Sequence, residues 1–236
     1  MHIKTVLFDL DGTLLPLDQD VFVKAYLSSM ATAMEKHGYE KESFLKSIWD
    51  GIRTMEKNDG KRFNETVFME RFSTVLGHSI ERELSLLEAY YQTDFQEIRL
   101  ICGKNEKAVQ AVEECRRLGL RTVLATNPLF PSIATESRIR WAGLSPDMFE
   151  AITTYENSCY AKPNPNYYTA LAEQLGVLPE ECLMVGNDVR DDMIASTVGM
   201  KVFLLTDCLL NREGRDASHY PQGNFDDLTN HIKSLV

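Results

Sequence analysis

The chain opens on a short apolar block, Thr5 to Leu10, which already carries Asp9 and runs into Asp11-Gly12. An apolar run of this length bounded by a turn signal reads as a buried strand, with its first carboxylates at the C-terminal end. From about Val21 to Phe95 the pattern changes. Val21, Ala25, Tyr26, Met30, Ala33 and Met34 recur at helical spacing, and no proline interrupts the stretch. Turn signals near Gly38-Tyr39, at Asn58-Asp59-Gly60 and near Gly77-His78 divide it into about four helices. Phe44, Ile48, Trp49 and Ile52 fall on one face of the second and read as core of the helical bundle. Asp18 and Asp20 stand where the first of these helices begins, as its cap and hinge.

After Cys102-Gly103 helical and strand patterns alternate. A helix over Asn105 to Leu118, closed by Gly119, precedes a strand over Thr122 to Ala125 that ends at Thr126-Asn127. A helix over Pro165 to Leu175, closed by Gly176, precedes a strand over Cys182 to Val185, and a helix over Asp191 to Val198, closed by Gly199, precedes a strand over Lys201 to Leu205. The polar stretch Asn211 to Gly223 reads as a loop before a last helix, Phe225 to Leu235. This alternation predicts an α/β fold: a Rossmann-like parallel sheet covered by helices on both faces, interrupted by an inserted helical bundle. Residues 1–16 and 97–236 form the expected core, and 17–96 the insertion.

Composition narrows the function. Hydrophobic residues make up 44% and charged residues 25%, the profile of a folded globular chain. The formal charge of -10 opposes a polyphosphate backbone, so a nucleic acid polymer is not an expected partner. Charges interrupt every apolar run short of a membrane span, and the N-terminal run is too short for a signal peptide, so no membrane partner and a cytoplasmic location are expected. Cys102, Cys115, Cys159, Cys182 and Cys208 form no CxxC pair and read as reduced thiols. His2, His37, His78, His219 and His231 show no metal-ligand spacing and read as mostly surface residues.

In open parallel sheets, ligands bind beyond the carboxyl ends of the strands. Asp9/Asp11, Thr126/Asn127 and Gly186-Asn187-Asp188 all end predicted strands, and Lys162 precedes a helix. Carboxylates, a hydroxyl, an amide and an ammonium gathered there suit a hard divalent cation together with a phosphate.

Asp9-Leu10-Asp11-Gly12-Thr13, Thr126-Asn127, Lys162-Pro163 and Gly186-Asn187-Asp188-Val189-Arg190-Asp191-Asp192 resemble, in order and spacing, the four motifs of the haloacid dehalogenase superfamily. The insertion resembles that superfamily's helical cap of the first type. The resemblance implies that Asp9 is the nucleophile, becoming an aspartyl phosphate, and that Asp11 is general acid and base. Thr126 and Asn127 would bind the phosphoryl group, and Lys162 would offset charge on nucleophile and substrate. Mg2+ would lie between Asp9, the backbone carbonyl of Asp11 and an acid of the fourth motif. Asp188 is the favoured ligand with Asp192 behind it, while Asn187, which departs from the commoner Gly-Asp pattern, and Asp191 are further candidates. Dehalogenases have no leaving-group oxygen to protonate and lack the second aspartate, so Asp11 points to a phosphatase acting on a small phosphorylated metabolite. A phosphosugar mutase, or a non-catalytic phosphate-binding regulator on the same scaffold, is the alternative. A phosphonate hydrolase needs a cap lysine forming a Schiff base, and Lys24 stands in no such pattern. The basic turn Lys57 to Arg62 is either a solvated loop or a contact for an anionic leaving group.

Overall fold

A computed structural model of the chain describes residues 2–77 and 80–236. His78, at the expected third break of the helical insertion, lies outside them. Six parallel strands form one sheet in the order β3-β2-β1-β4-β5-β6: β1 (Thr5–Phe8), β2 (Arg121–Leu124), β3 (Ala151–Ile152), β4 (Cys182–Gly186), β5 (Lys201–Leu205) and β6 (Gln222–Gly223). Burial on both faces explains the unbroken apolar runs. Along β1, Val6 and Phe8 pack into one apolar cluster and Leu7 into another; Leu183 and Val185 against Met184 in β4, and Phe203 and Leu205 against Leu204 in β5, divide the same way.

Helix α5 (Glu106–Arg117) and α8 (Phe225–Leu235) contribute to the first cluster, and α7 (Pro165–Leu175) to the second. Helix α7 has the expected bounds for a local reason. Asn164 caps it, Pro165 occupies its first turn, and Gly176 closes it in the left-handed conformation.

The inserted segment forms four α-helices: α1 (Gln19–Glu35), α2 (Lys41–Glu56), α3 (Asn64–Leu76) and α4 (Glu81–Gln92). A 3-10 segment, Asp94–Ile101, runs past residue 96 toward the sheet. Asp18 caps α1 by accepting hydrogen bonds from the backbone N–H groups of Asp20 and Val21, both at 3.0 Å. The buried face of α1 carries Phe22, Tyr26, Met30, Ala33 and Met34, whereas Val21 is exposed. These residues share one apolar cluster with β1 and β4, so the insertion and one sheet face are a continuous core. Among the described residues no helix is long and apolar enough to cross a membrane.

Four elements depart from the sequence pattern. The segment expected as a helix from Asp191 is a turn followed by a 3-10 helix, Met193–Val198; in the turn the Asp191 N–H bonds Asp188 Oδ1 and the Asp192 carboxylate bonds Lys162. Strand β6 makes the sheet's edge inside the stretch expected as a loop, with only Leu204↔Gln222 and Leu205↔Gly223 paired. Helix α6 (Ser132–Trp141) and strand β3 lie where no element was expected; α6 buries Thr135, Ser137 and Arg138 beside Ala134 and Ile139, a face without apolar periodicity.

Of the histidines that are described, His2, His37 and His219 are exposed, as expected, while His231 is half-buried against Phe203. All five cysteines are free thiols.

Candidate active site

Parallel register brings the chemistry together. Phe8 lies beside Leu124 on one side and Val185 on the other, so the residues that follow each strand emerge side by side. Asp9, Asp11, Thr126, Asn127, Lys162, Asn187, Asp188, Asp191 and Asp192 all line one cavity of about 400 Å³ there. Every site residue expected from the sequence is therefore in one place, although the motifs span nearly the whole chain.

Two glycines permit this closeness. Gly12 takes a φ of +81°, and a Cβ on it would sit 2.4 Å from the Asn187 side-chain nitrogen. A Cβ on Gly186 would sit 2.1 Å from Asp192 Oδ2. Asn187 uses both ends of its amide to tie strand ends together: its Oδ1 accepts from Thr13 Oγ1 at 2.8 Å, and its Nδ2 donates to the Cys208 carbonyl at 2.8 Å. That places Asn187 beneath the site with its carbonyl oxygen already engaged.

Lys162 is the electrostatic centre. Its Nζ donates to Asp9 Oδ1 at 2.9 Å and to Asp192 Oδ1 at 2.6 Å, with only 1% of its side chain exposed. Burial by itself would lower the lysine pKa, but the charges of Asp192 and Asp9 outweigh it and hold the ammonium protonated. Burial pushes the Asp192 carboxyl up, against the pull of Lys162. Asp192 Oδ2 also accepts the Asp188 N–H at 3.0 Å, so both of its oxygens are occupied. The Asn127 side chain fixes the lysine's backbone, accepting from its N–H at 3.2 Å and donating to its carbonyl at 3.5 Å. The Thr126 carbonyl accepts from Thr153 Oγ1 and Tyr167 Oη at 2.8 and 3.0 Å, anchoring the turn that carries its hydroxyl.

Asp11 has a partner that the sequence did not announce. Arg138, fully buried on α6, donates from Nη1 to Asp11 Oδ2. Its other nitrogens reach the Ala134 carbonyl and Thr135 Oγ1, both at 3.3 Å, and its guanidinium lies 4.0 Å from the Phe130 ring centroid. Burial pushes the Asp11 carboxyl up, Arg138 pulls it down, and the charge of Asp9 pushes it up again. Asp11 Oδ1 is buried without a hydrogen-bond partner. Helix α6 carries both Arg138 and Arg140 and buries only the first, so no pattern of residue types distinguishes them.

Asp188 closes its own turn, accepting the Arg190 and Asp191 N–H groups on Oδ1 at 2.7 and 3.0 Å. Asp9 and Asp188 thus each keep their Oδ2 outside these contacts. Among the described residues no three acidic, histidine or cysteine side chains gather into a metal-holding group on their own. Two carboxylates completed by a backbone carbonyl are a hard-oxygen donor set of the kind a divalent cation such as magnesium takes.

The helical layer meets the site through α1 and α2. Gln19, Asp20, Val23, Trp49 and Glu56 line the same cavity. Trp49, expected as bundle core, is instead 38% exposed, while Phe44 and Ile48 from the same face are buried. The turn Lys57 to Arg62 does not line this cavity. Lys61 pairs with Asp59 at 2.7 Å and Arg62 with Glu70 at 2.6 Å, while Asn58 bonds Asn64, whose Nδ2 reaches the Pro128 carbonyl at 3.2 Å. The turn docks the insertion on the sheet domain.

Comparison with known proteins agrees with this arrangement. The family model for haloacid dehalogenase-like hydrolases matches residues 3–198. Pyrophosphatase PpaX of Bacillus cereus is 24% identical over 202 residues, covering 85% of this chain and 82% of that protein. The crystal structure of a HAD phosphatase from Thermococcus onnurineus superposes with a TM-score of 0.59 at 21% identity, over 98% of both chains. That of a predicted phosphoglycolate phosphatase from Haemophilus somnus gives 0.60 at 18% identity, over 98% of both. With four ordered motifs converging at the carboxyl ends of a parallel sheet and a family model matched along most of its length, the chain belongs to the haloacid dehalogenase-like hydrolases.

Proposed function

We propose that the chain is a magnesium-dependent phosphatase that hydrolyses a small phosphorylated metabolite in the cytoplasm, through an aspartyl phosphate on Asp9, with the helices within residues 17–96 acting as its cap. The observation that carries this reading is the buried ammonium of Lys162 held between Asp9 and Asp192 at 2.9 and 2.6 Å. A buried cation bonded to one oxygen of a carboxylate leaves the other oxygen to attack while neutralising the charge that a phosphate brings. The names of the relatives, pyrophosphatase and phosphatase, support the same class of reaction.

Asp9 Oδ2 attacks phosphorus and the bond from phosphorus to the leaving oxygen breaks. The Asp11 carboxyl, raised by burial, gives its proton to that oxygen and leaves as a carboxylate facing Arg138. Asp11 then takes a proton from the water that attacks the aspartyl phosphate, releasing phosphate and restoring Asp9. The Thr126 hydroxyl and Lys162 ammonium bind the phosphoryl oxygens throughout. Magnesium, held by Asp9, the Asp11 backbone carbonyl and Asp188, would supply further positive charge to those oxygens.

Phosphate release from a panel of phosphate esters, with and without magnesium, tests this. Wild type releases phosphate only with the metal, and Asp9→Asn is slower by at least about 10³-fold. Equal rates in the two proteins would end the proposal.

A further inference from the structure

Beside the catalytic cavity lies a second cavity of about 360 Å³, between α1 to α4 and the segments at residues 129–133 and 155–156. Four residues, Gln19, Val23, Trp49 and Glu56, line both cavities, so the two spaces share a border. The second cavity is apolar in character: Leu27, Met30, Ile52, Phe68, Leu87 and Phe130 are among its walls. Among the described residues that line it there is no lysine, arginine or histidine, and its charged side chains are Glu56, Glu88 and Glu156.

Physical chemistry restricts what fits. Water in an apolar space lacks hydrogen-bond partners, and its displacement by an apolar group is favourable. A second anionic group would enter a space whose charged lining side chains, among the described residues, are glutamates. Trp49, partly uncovered, lines both cavities, so a ligand that crosses from one to the other covers its apolar face.

Resting on the phosphatase reading above, we propose that the substrate is a phosphate monoester of an uncharged, apolar alcohol or phenol, whose organic body fills this second cavity across Trp49 while its phosphate meets Asp9. The leaving group is therefore not a second phosphate or a short carboxylic acid, either of which leaves the cavity unfilled and faces the glutamates.

The test is kcat/KM of the full-length protein with magnesium for ethyl, butyl and hexyl phosphate, whose leaving oxygens are chemically alike, and for phosphoglycolate. The expected rise is roughly fourfold per methylene, a hexyl-to-ethyl ratio on the order of 10², with phosphoglycolate below butyl phosphate. Narrowing the cavity with Ile52→Trp is expected to bring the hexyl-to-ethyl ratio toward one. A flat or falling alkyl series, or phosphoglycolate as the best substrate, overturns the inference while leaving a phosphatase in place. If no ester turns over, the phosphatase reading fails separately. Calorimetry with methyl- and hexylphosphonate, which cannot be hydrolysed, then decides: tighter binding of the longer chain supports the cavity's role, and equal binding overturns it.

Discussion

The two cavities under the helical layer are built from opposite materials. One gathers Asp9, Asp11, Asp188, Asp191 and Asp192 around a single buried ammonium; the other is walled by aliphatic and aromatic side chains with glutamates among them. In the first, position is set by strand ends in fixed register, and each polar contact is specific. In the second, position follows from how four helices and two loops pack. Under the proposed function, the contrast separates chemistry, held at the carboxyl ends of the sheet strands, from selection, shaped by the helices packed over them.

The largest expected effect falls on the polar side alone. Lys162→Met removes the cation shared by Asp9 and Asp192, and steady-state assays are expected to show turnover down on the order of 10³-fold. If the comparison is sound, short and long esters suffer alike; a loss that grows with chain length would break it.

Arg138 lies between the two regions, bonded to Asp11 in one and packed under Phe130, a wall of the other. Replacing it with methionine keeps the bulk but leaves Asp11 buried without its cation. Chemical denaturation is expected to show a loss of about 3 kcal/mol, with Asp11→Asn added to Arg138→Met recovering part of it. Additive losses in the double variant would show that the two residues are not coupled.

The smallest effect concerns the crowding of acids. Burial, and then the charge of Asp188, push the Asp191 carboxyl up to about 6. A carboxyl raised in the folded state costs stability as pH climbs from its unfolded value through its folded one, and the cost is complete above that window. Asp191→Asn at pH above 7 is therefore expected to stabilise the metal-free protein by on the order of 1 kcal/mol, with no gain at pH 4. Thermal melts at the two pH values check the sign.

What was legible in the sequence follows the same division. Strands buried on both faces give unbroken apolar runs, so β1, β4 and β5 were readable, and α7 and α8 carry their own caps at Asn164 and Asn224. The site residues were readable because each follows a strand or opens a turn. Arg138 was not, since burial beside Thr135 and Ser137 leaves no periodic mark and its value lies in reaching Asp11, distant in the chain. Trp49 misled for the opposite reason: it keeps helical spacing with Phe44 and Ile48, yet faces the gap between cavities, a space defined only once the insertion docks on the sheet through Asn58 and Asn64. Strand β3 is too short for a period-2 pattern, and β6 is an edge of similar length that pairing with β5 alone defines.

The central claim, a phosphoryl group carried by Asp9, is tested most directly in Asp11→Asn, which cannot activate water against the intermediate. Incubated with magnesium and an aryl phosphate whose leaving group needs no proton, then quenched in acid and digested, this variant is expected to carry one phosphoryl group on the peptide containing Asp9. An unmodified peptide after aryl alcohol has been released, or a phosphoryl group on any other residue, would contradict the account.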